Sequence, residues 1–407
     1  MSVGGIIFLT VKVGEMDLLN GDASFHGIDI FEDITDPFSS PLIEINVVDP
    51  SDALNKHKIT GSYDENPIEI KFKYEPTGEI VGFKARMHSN VNQMDNMGND
   101  DRSSGHHKQY QIRGVQEEVF RANGANVEKA FSGPTTEHVK KIFERISDKD
   151  VVNGDNSEPR DKLFGRVGTK EAIQQLLKEH TSSKYQSSAY TIFQEWKNGN
   201  PKIVQTTYEQ LFEQNSVVTL KERTDLNTSG ISEEDHQNSI MWAEYDPSFS
   251  ASRPMSKAVK KSYNPSTGVV VDENYQQDTK SKKPAYNSPA SYADKFDVRH
   301  MEDTANNGQP HNNADAKRKR AQYLSHLMQG SARIEIPGNP KITLGCKITL
   351  DVPKKTDDNQ SGGEGQMNKE CIVVSIRHKI KPAGQEPRYT MILELVKAGM
   401  EKGGNSA

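Results

Sequence analysis

Apolar side chains fall on every second residue in two separate parts of this chain, and that period confines both parts to β-strands with one buried face. Near the start, residues 43–47 (IEINV) and 68–74 (IEIKFKY) read this way. Near the end, residues 332–336 (ARIEI), 346–352 (CKITLDV), 371–376 (CIVVSI) and 389–396 (YTMILELV) do the same. Residues 27–31 (GIDIF) and 80–87 (IVGFKARM) add weaker strands, with turns at Asp49-Pro50 and at residues 76–78 (PTG). Residues 93–107 are polar and read as a long loop, and residues 357–365 (DDNQSGGEG) read as a hairpin loop. A turn at residues 382–384 (PAG) separates the final pair of strands.

The middle third changes period. In residues 134–146 (PTTEHVKKIFERI), Val139, Ile142, Phe143 and Ile146 recur at helical spacing, with Thr135 or Thr136 as cap. A second helix is predicted from Thr169 through Ile173, Leu176 and Leu177 to about His180. A strand at residues 189–196 (AYTIFQEW) meets the hairpin signal Asn198-Gly199, returns over residues 202–204, and leads into a helical turn at residues 207–212. Residues 224–313 are dominated by Ser, Asn, Asp, Lys and Pro, the mark of a linking or surface-wrapping segment. Residues 314–328 then read as a helix stopped at Gly330.

The two strand-rich ends follow one order. An alternating strand (68–74), a second (81–88), a polar loop and a third opening at Gln109-Tyr110 are matched by strands 346–352 and 372–378, a turn, and a third opening at Arg388-Tyr389. This predicts an internal duplication, and a fold of the α+β class, mostly β, with two similar β domains joined by helix-containing middle domains.

Composition narrows the function by exclusion. A net charge of −6 over 407 residues argues against a strongly basic nucleic-acid surface. No apolar run approaches the roughly 18 residues that a membrane span needs. The N-terminus lacks a basic region and an apolar stretch of signal-peptide length, so export by its own sequence is not expected. The two cysteines, Cys346 and Cys371, lie in apolar strands, where they read as buried free thiols, a bridge between them being the alternative.

No phosphate-loop, HExxH, GxSxG or CxxC motif is present, and no catalytic, cofactor-binding or metal-ligating residue is assigned. The glycines of residues 362–365 (GGEG) lack the strand-to-helix context of a phosphate cradle. His106-His107 beside Asp100 and Asp101 read as a solvated loop, since adjacent histidines diverge on any regular backbone. Residues 148–155 (DKDVVNGD) resemble a calcium loop, but Asn153-Gly154 comes one position late and no glutamate closes the loop. The run Lys317 to Arg320 (KRKR) is read as a solvated helix face or as a contact with an acidic neighbouring subunit.

Residues 321–323 (AQY), 330–345 (GSARIEIPGNPKITLG), 347–348, 371–376 and 389–395 together resemble the central hub protein of T-even-like phage baseplates. Residues 172–176 (AIQQL), 187–193 (SSAYTIF), Asn198-Gly199 and 208–211 (YEQL) follow the same pattern, from which residues 224–313 depart. The resemblance implies a first tube-forming β domain over residues 1–125, a helix-containing α+β domain over 126–215, and a polar segment over 216–313 that is partly tube domain. A second tube domain over 314–400 and a flexible tail over 401–407 complete the implied division. It further implies a non-enzymatic homotrimer whose six tube domains surround a channel. Such a hub contacts a central spike protein, a tail tube or tube-initiator protein and baseplate wedge proteins, and lets DNA pass. It sits in the virion tail after assembly in the host cytoplasm, with no cofactor and no membrane contact. The other readings weighed are a spike-base subunit of a type VI-like injection machine, and a virion protein that binds or cleaves glycan.

Overall fold

The computed structural model describes residues 5–21, 23–59, 66–95, 108–185, 189–197, 199–222, 237–245, 257–264, 269–276, 298–304, 331–351, 369–382 and 388–397. Of the long loop read at 93–107, residues 93–95 instead continue a strand that ends at Asp95, and 96–107 lie outside the described residues, as do the glycine stretch at 362–365, the helix read at 314–328 with its KRKR run, and the tail at 401–407.

The N-terminal strands are β1 (Ile6–Val13), β2 (Met16–Asp17), β3 (Ser24–Asp33) and β4 (Leu42–Asp49); helix α1 (Ala53–Lys56) precedes β5 (Pro67–Tyr74), β6 (Ile80–Asp95) and β7 (Lys108–Val115). The helical spacing read in the middle third appears as α3 (Thr135–Phe143) and α4 (Thr169–Glu179). Around them lie α2 (Glu117–Gly124), β8 (Asn126–Phe131), β9 (Val151–Asn153), β10 (Lys162–Gly168), β11 (Tyr190–Lys197), β12 (Asn200–Thr207) and α5 (Tyr208–Glu213). The polar stretch contributes β13 (Thr219–Glu222), β14 (Ser239–Ile240) and β15 (Trp242–Tyr245), then a three-stranded sheet of β16 (Lys257–Asn264), β17 (Val269–Gln276) and β18 (Val298–Thr304). The last strands are β19 (Ser331–Pro337), β20 (Lys347–Asp351), β21 (Lys369–Lys381) and β22 (Arg388–Lys397).

The alternating residues face one core. In β5, Ile68, Ile70, Phe72 and Tyr74 are fully buried while Lys73 is exposed, and in β22 Tyr389, Met391, Leu393 and Leu395 are buried. Each such side chain contributes about 1.5–3 kcal/mol on leaving water, which makes the period-two face the main organising force.

Both strand-rich ends are wired in the same way. Hydrogen bonding runs β3-β4-β7-β6-β5-β1-β2 at the N-terminal end and β15-β19-β22-β21-β20-β13-β14 at the C-terminal end. Numbered by chain order within each end, both paths read three, four, seven, six, five, one, two. They differ in direction at two places: β1 is antiparallel to β5 and to β2, whereas β13 is parallel to β20 and to β14.

The two ends also form a single sheet. Strand β21 takes β22 on one edge and, on the other, β20 along Lys369–Ile372 and β3 along Ser375–Ile380. A bridge between Gly5 and Arg388 brings the start of β1 to the start of β22. One apolar cluster consequently includes residues from both ends, among them Ile30, Phe72, Ile376 and Tyr389.

A second cluster fills the middle unit, where Val139, Ile142 and Phe143 of α3 meet Ala172, Ile173 and Leu176 of α4. Phe38, from the loop between β3 and β4, stacks on Phe143 with ring centroids 5.6 Å apart and so pins the N-terminal sheet to this unit. In the hairpin of β11 and β12, Gly199 adopts φ +75°, the left-handed conformation that favours glycine, while Asn198 lies outside the described residues. Cys346 and Cys371 are both buried free thiols, so the bridge is not formed, and burial pushes the Cys346 thiol up to about 12.

Candidate functional site at the sheet junctions

Two polar nodes sit where separate parts of the fold meet. The first joins the two strand-rich ends. Along β3, Ile28, Ile30 and Glu32 all point inward, and along β21, Ile376, His378 and Ile380 do so. The antiparallel register sets Ile376 opposite Glu32, which places His378 diagonally across from it. His378 Nε2 lies 2.6 Å from Glu32 Oε1, and its Nδ1 lies 2.8 Å from the Tyr389 hydroxyl on β22. All three side chains are buried, Tyr389 at 1% exposure. Burial drives the Tyr389 phenol well above its ordinary range, helped by the nearby charge of Glu32.

Tyr389 is held from every side. Phe72 meets it edge-on at 5.1 Å and Tyr74 at 6.0 Å. Behind it, the backbone N–H of Gly338 donates to the Tyr389 carbonyl at 2.9 Å. A Cβ at position 338 would fall 1.9 Å from Tyr389 Cδ1, so this approach requires glycine.

The second node joins the N-terminal sheet to the middle unit. Lys149 Nζ donates to Gln116 Oε1 at 2.9 Å, to Glu118 Oε2 at 2.9 Å and to Gln194 Oε1 at 2.8 Å. Those three acceptors account for all three ammonium protons. The amides pass the connection on: Gln116 Nε2 donates to the carbonyls of Pro41 and Lys84, and Gln194 Nε2 to that of Pro37. Ser147 Oγ completes the Glu118 carboxylate by donating to Oε1 at 2.5 Å. Burial pushes Lys149 below its ordinary range, with the Glu118 carboxylate opposing that shift. Beside this node opens a cleft of about 510 Å³, on whose rim Arg86 and Arg121 converge on Glu117 Oε1 at 3.0 and 3.6 Å.

The calcium-loop look-alike is taken apart by the fold. Asp148 pairs with Arg121 at 3.1 Å, Lys149 turns inward, and Asp155 accepts from Ser182 Oγ at 2.6 Å and from Thr207 Oγ1 at 3.3 Å. Those carboxylates therefore serve different neighbours. Among the described residues, no three His, Cys, Asp or Glu side chains are grouped to hold a metal ion, and no helix is long and apolar enough to cross a membrane.

Sequence reading singled out none of Glu32, His378, Tyr389, Glu118 and Lys149 as functional. A signal did exist for the first two. Each is a charged or titratable residue at an inward position of an alternating strand, and such a residue demands a buried partner. What both nodes do is tie together strands and helices remote in sequence.

No protein-family model and no curated protein matches the chain. Among solved structures, the fold is similar to that of the tail protein from Neisseria meningitidis MC58, with 12% identity, 97% of each chain covered and a TM-score of 0.58. It is also similar to the 43 kDa tail protein of prophage MuSo2 from Shewanella oneidensis, with 12% identity, 97% of this chain and 98% of that one covered, and a TM-score of 0.55. The mostly β architecture, with its large mixed sheet, is thus the fold of these tail proteins.

Proposed function

We propose that this chain is a structural subunit of a contractile phage tail baseplate, and that three copies form a central hub. The observation that carries the proposal is the seven-strand order repeated at both ends of a chain whose fold is that of tail proteins. We read the repeat as an internal duplication that yields two similar tube domains, one from each end. Three chains then supply six similar domains, so a three-fold assembly presents quasi-six-fold symmetry around a channel. Such a ring can seat a six-fold tail tube or tube initiator on one face and a three-fold central spike on the other, with wedge proteins around it and DNA in transit through it. Closing strands into a ring also removes sheet edges that would otherwise aggregate.

The role needs no catalytic step, and the two polar nodes suit it, because they lock the duplicated sheet and the middle unit into one mechanical body. The net charge of −6 suits a channel that must release DNA, since a cationic lining would hold phosphate. The mass of the purified protein in solution tests the reading. A trimer supports it, and a stable dimer contradicts it. Turnover of cell-wall glycan would contradict the absence of chemistry.

A further inference from the structure

The cleft of about 510 Å³ beside the Lys149 node has the size of a ligand site. Its apolar wall is drawn from both sides of a seam, Pro67 and Ala85 from the N-terminal sheet, Trp196 and Pro201 from the middle unit. Phe83 stacks on Trp196 with ring centroids 5.6 Å apart, Lys149 Nζ lies over the indole at 5.5 Å, and only 7% of Trp196 is exposed. A ring so covered offers a wall for an apolar side chain and no open face on which a sugar could stack. Pro67 and Pro201 have no backbone N–H to donate, so an occupant is held there by side chains and not by strand pairing.

The charges around the cleft are unevenly committed. Lys149 and Glu118 satisfy one another inside the node at 2.9 Å. Arg86, set over the Phe120 ring at 4.6 Å, shares Glu117 Oε1 with Arg121, and Arg121 also donates to Asp148 at 3.1 Å. Asp148 is 88% exposed, so that last pair is weak. Lys84 lies 4.0 Å from Glu69, a carboxylate already held by Lys71 at 2.7 Å. Four cations and three anions line the cleft, which leaves one positive charge over, and Lys84 is the least committed of the four.

We infer that the cleft receives an Asp or Glu side chain of a partner protein, its carboxylate held by Lys84 and Arg121, with a neighbouring apolar side chain laid against Trp196. Arg121 has donors to give, since a guanidinium carries five N–H groups and its contacts with Glu117 and Asp148 engage Nε and one Nη. Glu117 is the internal competitor for the same guanidinium groups. The inference goes beyond the hub reading and does not depend on it: assembly mass decides the one, ligand titration the other.

Trp196 and Trp242 are the two tryptophans of the chain, so in the full chain carrying Trp242→Phe the emission reports on the cleft wall. The probes are acetyl-Leu-Glu-Leu-amide, its Gln analogue, free glutarate and chitotriose, with calorimetry to record binding that leaves the emission unmoved. The expected result is saturable binding of the Glu peptide, at least about tenfold tighter than the Gln analogue, the worth of hydrogen bonds to a charged group. Lys84→Gln and Arg121→Gln, each with an unchanged melting temperature, should bring the Glu peptide down to the level of the Gln analogue. Glu117→Gln removes the competitor and should tighten the Glu peptide, a gain that misfolding cannot produce. No saturable binding of the Glu peptide, equal binding of the Gln analogue, or a Glu117→Gln variant that binds no tighter overturns the inference. Glutarate binding as tightly as the peptide would make the cleft a small-molecule site, and chitotriose binding in place of the peptide a glycan site; either result overturns it too.

Discussion

His378 Nε2 lies 2.6 Å from Glu32 Oε1, a contact between residues 346 apart in the chain that fastens the C-terminal strands to the N-terminal ones. Removing one member of a buried hydrogen-bonded pair leaves polar atoms of the other unsatisfied, which costs about 1–3 kcal/mol. His378→Ala and Glu32→Ala should each lower the unfolding free energy by about that amount in denaturant titrations. The double variant should lose less than the sum of the two, because the second substitution removes a group already stranded by the first. Additive losses would mean that the two side chains do not act as a pair.

Gly338 supplies a second, purely steric prediction. A methyl group there collides with the ring of Tyr389, itself packed between Phe72 and Tyr74. Gly338→Ala should destabilise the fold by about 1–3 kcal/mol through overpacking. Adding Tyr389→Leu, which vacates the collision, should make the Gly338→Ala step cheaper than it is in the parent. An equal cost in both backgrounds would place the origin of the effect elsewhere.

At the second junction, Lys149→Met leaves the Glu118 carboxylate buried with its cation gone. A loss of about 3–5 kcal/mol is expected from the uncompensated charge. Replacing both, with Glu118→Leu, should recover part of that loss, since a well-packed apolar pair can substitute for a buried ion pair. Thermal unfolding of the three variants checks the order: parent, then double, then Lys149→Met.

His138 gives the middle unit a pH dependence. It is fully buried on α3, and desolvation pushes its imidazole below the ordinary range, with the backbone of Ser132 opposing. The unfolded chain takes up a proton near the ordinary value of about 6.5, whereas the folded chain does not until a lower pH. Between those values the unfolded state binds more protons, so stability falls as pH drops below about 6.5 and levels off once the folded form is protonated. His138→Leu should flatten that stretch of the profile. An unchanged slope would assign the acid sensitivity to other groups.

Much of the architecture is legible in the sequence because it is local. Period two locates β5, β19, β20 and β22, and helical spacing locates α3 and α4, because a buried face leaves its period in the sequence. Helix α2 leaves no such mark, since it buries only Glu118 and Ala122, one of them charged. The pairing of Lys149 with Glu118 spans 31 residues without a local pattern to announce it. The β3–β21 junction is hidden for the same reason: alternation shows which face of a strand is buried, not which edge meets which. Glu32 and His378 are the instructive case, for their inward positions can be counted by alternation alone from Ile28, Ile30, Ile376 and Ile380.

The central claim is that one duplicated chain builds a three-fold ring of six similar domains. Class-averaged electron microscopy of the purified assembly tests it most directly. The account predicts end-on views with three-fold symmetry and six similar lobes around a central hole. A two-fold particle, or a three-fold one with only three lobes around its axis, would contradict it.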